Sequence, residues 1–366
     1  MIRTSRRLAD GREIVYYDAD GTTHIAHDTP DTRDLPPVAT RSTLRWDALL
    51  GEWVAYAAHR QSRTFLPPAD QCPLCPTRPG RPPTEVPESD YQVVVFENRF
   101  PSLATAVDTD VDPAAPGAPF ATQRPGFGRC EVVVFTSEHE RAPADLPLER
   151  LRLLVDVWAD RTGVLSAVDG IEHVFPFENH GESIGVTLGH PHGQIYGYPY
   201  LPPRVDRILA SVARHRAETG GDLFAEVVAA ERSGPRVVAG NEHWTAFVPA
   251  AAYWPYELQL FPHRRVPDLP ALTTEERHAL AELYRDALGR FAHLFEEPAN
   301  YIAAWNQAPV RQGRDRDEWW LHLQLFTFAR APGKLKFLAG SESGMGAFVS
   351  DTGPEEAAGQ LRAVTW

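Results

Sequence analysis

A repeated order of elements constrains this chain more than any other feature of its sequence. The first half runs through a strand in CEVVVFTSEHERAPADL, a helix over 147–168, a strand in HVFPFEN and a strand carrying HPHGQ. The second half runs through YELQLFPHRRVPDL, a helix over 274–296, YIAAWNQ and LHLQLF in the same order. This parallel order, with His139 matched to His263, predicts duplication of one unit. Two unrelated but similar units are the alternative. Short strands among helices, joined by hairpin-like loops, predict an α+β fold: a largely antiparallel sheet flanked by helices, internally duplicated.

Local patterns fill in the frame. Trp53–Ala57, Tyr91–Phe96 and Glu131–Thr136 read as strands. In 147–168, Leu148, Leu151, Leu154, Val155 and Trp158 fall on one helical face. The segments 204–217 and 354–363 read as further helices, and 66–90 and 107–126 as Pro/Gly-rich loops. Three regions follow: an irregular, polar N-terminal arm over 1–40, a first half over 41–203 and a second half over 204–366.

Composition narrows the function classes. With 43% hydrophobic and 23% charged residues, the 366-residue chain has an ordinary globular balance. A net charge of −13 disfavours nucleic acid as a partner, because phosphate neutralisation needs a basic face. A small anionic substrate remains compatible if a few cations are focused in a cleft. No apolar run approaches the roughly 18 residues of a membrane span, and no apolar stretch follows the basic N-terminus, so a cytoplasmic location is expected. Three cysteines, Cys72, Cys75 and Cys130, argue against a disulfide framework. The Cys72-Pro-Leu-Cys75 pair reads as a redox pair, half a zinc site or chance.

The segment GVTLGHPHGQIYGYP carries the chemistry. On a strand, His190, His192 and Gln194 share one face, and three polar groups there are costly to bury without a role. Histidines satisfied by hydrogen bonds at a sheet end are the blander reading. Pro191 and Gly193 are poor strand residues, which suggests close approach of backbone or ligand. A neutral imidazole offers a lone pair to phosphorus without prior deprotonation, provided an acceptor fixes its other nitrogen.

HPHGQ, preceded by FENHGESIGVTLG, resembles the galactose-1-phosphate uridylyltransferase branch of the histidine-triad superfamily, and the resemblance runs from about residue 43 onward. It implies a histidine-triad-like fold with His192 as covalent nucleophile. Gln194 stands where hydrolases of that superfamily carry a third histidine; an amide donates a hydrogen bond but is no acid or base near neutral pH. Thr187 and Gln194 are the implied donors to phosphate oxygens. Arg60 and Arg63 match phosphate-contacting arginines, and Leu74, Asn98 and Asn179 match substrate-contact positions. Arg99 replaces an acid, Thr187 a serine and Leu188 an asparagine common in other members. Lys336, Phe337 and Glu342 fall where the family contacts the hexose, whereas SGMGAFVSD departs from its pattern.

The resemblance also completes the CxxC pair with His139 and His190 as one closed, structural Zn2+ site. A second metal site of the family corresponds here to Ile208, Asn306, His322 and Gln324, which retain one histidine, so that site is expected to be absent. LHLQLF is then a decayed copy of HPHGQ, with His322 matching His190 and Gln324 at the nucleophile's place. The implied reaction moves UMP from UDP-glucose to galactose 1-phosphate, giving UDP-galactose, in a homodimer whose sites draw on both subunits. The alternatives are an ADP-sugar phosphorylase, a uridylyltransferase for another hexose 1-phosphate, or a non-catalytic, zinc-stabilised nucleotide-binding protein.

Overall fold

The computed structural model describes residues 1–21, 26–38, 40–62 and 67–366. Its frame is an 11-stranded sheet. In chain order the strands are β1 (Ile2–Arg7), β2 (Glu13–Asp18), β3 (Val93–Glu97), β4 (Arg129–Val134), β5 (His173–His180), β6 (His192–Tyr198), β7 (Val237–Gly240), β8 (Trp244–Phe247), β9 (Tyr256–Pro262), β10 (Tyr301–Asn306) and β11 (His322–Thr327). Their spatial order is β1-β2-β3-β4-β6-β5-β10-β11-β9-β8-β7, with every adjacent pair antiparallel.

The duplication is written in the register. Glu178 of β5 pairs with Gly193 of β6 on one side and with Ala303 of β10 on the other. Ala303 in turn pairs with Leu325 of β11. Gly193 faces Val133, and Leu325 faces Leu258. The two halves therefore meet at β5 and β10 with Gly193 equivalent to Leu325 and His192 equivalent to Gln324. The same offset carries His139 to Arg264, one residue on from the His263 expected from sequence.

Helices α1 (Leu148–Ser166) and α4 (Thr274–Ala292) cover one face of the sheet, with α5 (Pro354–Ala363) in the same core. Leu151, Leu154, Val155 and Trp158 of α1 are buried there, as the periodicity predicts. A Thr273/Glu276 capping box starts α4, satisfying N–H groups that lack helical partners. Strands β3 and β4 are covered on both faces: Val93, Val95 and Val133 face the helices, and Val94, Phe96, Val132 and Val134 face a second cluster. Burial on both sides explains their unbroken apolar runs.

On the opposite face the halves diverge. In the first half, Cys72, Leu74, Val86 and Tyr91 pack on β2–β4. In the second, α2 (Pro203–Thr219) and α3 (Leu223–Arg232) lie over β8 and β9. A smaller sheet of Ala114–Ala115, Ala118–Pro125, Thr43–Asp47 and Glu52–Tyr56 flanks the first half.

The expectation of an irregular arm over 1–40 is corrected. Residues 2–18 form the β1–β2 hairpin, closed around Gly11 at φ 87° with Leu8 donating to the Arg12 carbonyl. EIVYYD places Val15 and Tyr17 in the helix-side core and Ile14 and Tyr16 in the other cluster. Its short apolar run, buried on both faces, is flanked by enough polar residues to read as an arm.

Candidate active site

β6 begins at His192, and its alternation places His192 and Gln194 on the face away from α1. Both line a cavity of about 200 Å³ with Arg60, Leu74, Asn98 and Thr187. Gly193 points the other way, where a Cβ would lie 2.9 Å from the Phe177 carbonyl oxygen and 3.0 Å from the Phe135 ring. Glycine is thus required for β6 to pack against β5, which is the close backbone approach expected from sequence.

The His192 ring is oriented by its own chain. Nδ1 lies 2.8 Å from the His190 carbonyl oxygen, so Nδ1–H donates and Nε2 keeps its lone pair. Burial holds the ring's pKa below the ordinary histidine value, although the bond to the His190 carbonyl opposes this. The imidazole is therefore neutral at pH 7, the form a nucleophile needs.

Arg60 donates to Ser102 Oγ at 3.1 Å and lies 3.4 Å from the Tyr196 hydroxyl. Asn98 Oδ1 accepts from the Phe100 N–H at 2.8 Å, which stiffens that wall. Glu85, Arg99 and Phe100 also line the cavity. Sequence reasoning did not single out Glu85. Its carboxylate is held by Arg12 at 2.5 Å and Arg33 at 2.8 Å, with Arg99 at 3.6 Å. The N-terminal hairpin thus braces the cavity wall, a role invisible without its fold.

The other expected contacts are not gathered here. Asn179 lies on β5, beside the Glu178 that pairs with Gly193, and is not among the residues lining the cavity. Lys336 and Glu342 form a buried ion pair at 3.0 Å, and Phe337 is 76% exposed; none of the three lines the cavity. Arg63 lies outside the described residues.

Beside the cavity, Cys72, Cys75, His139 and His190 bring four ligand atoms within 4.8 Å of one another. Cys75 Sγ is 3.4 Å from His139 Nδ1 and 3.5 Å from His190 Nδ1. His190 Nε2 lies 2.7 Å from the Thr136 carbonyl oxygen, so its proton sits there and Nδ1 is left as a ligand. Burial pushes the Cys72 thiol up to about 12 and lowers His190 to about 4. A dication would reverse the thiol preference and leave the neutral imidazole as it is. Two sulfurs and two nitrogens at this spacing fit a bound metal ion.

In the second half, Asn306 and His322 are register partners and both buried, and Gln324 Nε2 donates to Glu257 at 2.7 Å. Ile208 lies on α2, partly buried in its cluster. Among the described residues, no helix is long and apolar enough to cross a membrane.

Profiles of galactose-1-phosphate uridyl transferase match this chain twice: the N-terminal domain over residues 33–202 and the C-terminal domain over 209–365. The chain belongs to that family. The galactose-1-phosphate uridylyltransferase of Streptomyces lividans is 48% identical over 331 residues, covering 88% of this chain and 86% of the relative. That of Thermotoga maritima is 36% identical, covering 87% and 97%. A solved uridylyltransferase structure superposes with a TM-score of 0.76 at 31% identity, covering 88% and 97%. An ADP-glucose phosphorylase from Arabidopsis thaliana shares the fold, with a TM-score of 0.66 at 21% identity over 89% and 100%. The internally duplicated α+β fold with a largely antiparallel sheet, expected from sequence, is the fold observed, and the solved uridylyltransferase shares it.

Proposed function

We propose that this chain transfers UMP from UDP-glucose to galactose 1-phosphate through a uridylyl group carried on His192. One observation carries the reading: a neutral imidazole, tied at Nδ1 to its own backbone, stands in a cavity beside an amide and a guanidinium. The Nε2 lone pair attacks the α-phosphorus of UDP-glucose. The P–O bond to the β-phosphate breaks, and glucose 1-phosphate leaves with the electron pair. A phosphate oxygen of galactose 1-phosphate then attacks the same phosphorus, the N–P bond breaks, and the imidazole returns neutral as UDP-galactose departs. The attacking phosphate is already an anion, so no general base is needed. The Gln194 amide and the Thr187 hydroxyl donate to non-bridging oxygens, and Arg60 and Arg63 offset phosphate charge.

Leu74, Asn98 and Asn179 serve the nucleoside. Lys336, Phe337 and Glu342 sit apart from this cavity, which suits a homodimer in which they complete the partner's sugar pocket. Cys72, Cys75, His139 and His190 would hold Zn2+, and so tied the CxxC segment, the loop after β4 and the segment leading into β6 would be fixed together. The setting is cytoplasmic.

The test is intact-mass measurement after mixing with UDP-glucose alone. A uridylyl adduct that is absent from His192→Ala and is discharged by galactose 1-phosphate is expected. No adduct, or an equal one in the variant, overturns the reading. An adduct formed from ADP-glucose in its place would make the chain an ADP-sugar enzyme.

A further inference from the structure

The loop between β5 and β6 carries Thr187 and Leu188 into the cavity. It leaves β5 at His180 and Gly181, makes one short helical turn at Glu182–Ile184 and passes Gly185 at φ 79°. Within it, Gly185 donates to the Glu182 carbonyl. Three contacts tie its start to Asn300, just before β10, and to Tyr301, its first residue, in the half that has no nucleophile. Asn300 Nδ2 donates to Ser183 Oγ. Gly181, at φ 103°, lies so close to Asn300 that any Cβ would collide with the Asn300 amide. His180 stacks on the Tyr301 ring at 4.8 Å and 19°, and the two are register partners. Tyr301 is itself fixed, since its hydroxyl donates to Glu178 at 2.6 Å.

We propose that Asn300 and Tyr301 are positioning residues, a clamp from the silent half that holds the loop so that Thr187 stands over His192. The consequence for rate rests on the proposed role of Thr187; the clamp itself does not. Displacing a donor by about 1 Å can cost up to a hundredfold in rate, so a surface hydrogen bond and one close glycine contact are enough to matter.

The test uses Asn300→Ala, Thr187→Ala and their combination in the full chain. Asn300→Ala is expected to lower kcat for transfer about tenfold with KM changed less than about twofold. In the Thr187→Ala background the same change should cost less than about twofold, because both act through one contact. Native-state cleavage after Glu182 by a glutamate-specific protease should quicken several-fold, with the thermal midpoint unmoved. Gly181→Ala, which spreads the clamp from the loop side, should reproduce the faster cleavage. Unchanged cleavage in both clamp variants overturns the proposal, as does a full tenfold loss persisting without Thr187. If Thr187→Ala alone keeps full kcat, the phosphate contact fails instead, and the cleavage rates decide the clamp.

Discussion

The two halves share a skeleton and differ in what lies on it. α1 and α4 are both 19 residues long and pack on the same sheet face. β4-β6-β5 and β9-β11-β10 repeat one strand order, with Gly193 and Leu325 at matching points. On the other face of β6 a cavity opens at His192. On the other face of β11 His322 and Gln324 are buried, and a cavity of about 470 Å³ opens beside them, at Glu257 and Gln259 of β9. His322 stacks on Phe261 at 4.6 Å with Phe224 and Trp319 around it, and burial lowers its pKa to about 4. Gln324, equivalent to His192, donates to Glu257, whose counterpart in the first half is the apolar Val132. The sheet and helix layer is therefore a neutral platform. Chemistry depends on whether loops or helices roof the outer face.

The largest effect should come from His192. His192→Ala is expected to lower transfer by at least about three orders of magnitude, and His192→Gly to regain part of it with added imidazole. The mirror variant Gln324→His should gain nothing, because residue 324 is buried and lines no cavity among the described residues. A uridylyl adduct on residue 324, found by peptide mass mapping, would break the comparison. Next comes the proposed metal site. Stripping the ion with a chelator, or Cys75→Ser, should cost several kcal/mol of stability, since metal binding free energy becomes folding free energy. It should also reduce transfer, because His190 is two residues from His192. Metal content and the unfolding midpoint check this; a Cys75→Ser variant that keeps both would remove the site from the account.

The cavity was half legible in the sequence, and the reasons are local. HPHGQ is a contiguous pattern whose alternation survives folding, so His192 and Gln194 could be read directly. The helix over 147–168 was legible for the same reason, as its apolar spacing is the burial pattern. Glu85 was not, because its role arises from Arg12 of the β1–β2 hairpin and from Arg33 beyond it, both distant from Glu85 in the chain. That hairpin was misread because five buried residues of β2 are embedded in a polar stretch. Matching His139 to His263 missed by one residue, since sequence similarity does not fix strand register to a single position.

At the seam the halves differ by one carboxyl. Glu178 is buried and accepts from Tyr284 at 2.7 Å and Tyr301 at 2.6 Å, where its counterpart is Ala303. Burial raises its pKa to about 7, with the two hydroxyls opposing. The folded protein therefore keeps this proton while the unfolded chain, near 4.5, releases it. Stability from this group is complete below the unfolded value and is lost as pH rises through 7, by roughly 3 kcal/mol in all. Glu178→Gln should flatten that slope between pH 5 and 8 in urea titrations. An identical pH dependence in the variant would show that the carboxyl is ionised at neutral pH.

The smallest expected effect lies in the second half. Gln324→Leu removes one donor from the Glu257 carboxylate, which keeps the Tyr253 N–H at 3.0 Å and Gln259 at 3.3 Å. Leaving a buried acceptor short of a partner should cost about 1–3 kcal/mol, with kcat unchanged. Adding Glu257→Val, which restores the residue found at Val132, should recover part of the loss, because removing both partners costs less than removing one. Recovery is only partial, since the Tyr253 N–H then has no carboxylate to meet. If the single variant instead lowers kcat while stability holds, the second half is not silent, and the polar pair at its centre acts on the distant histidine.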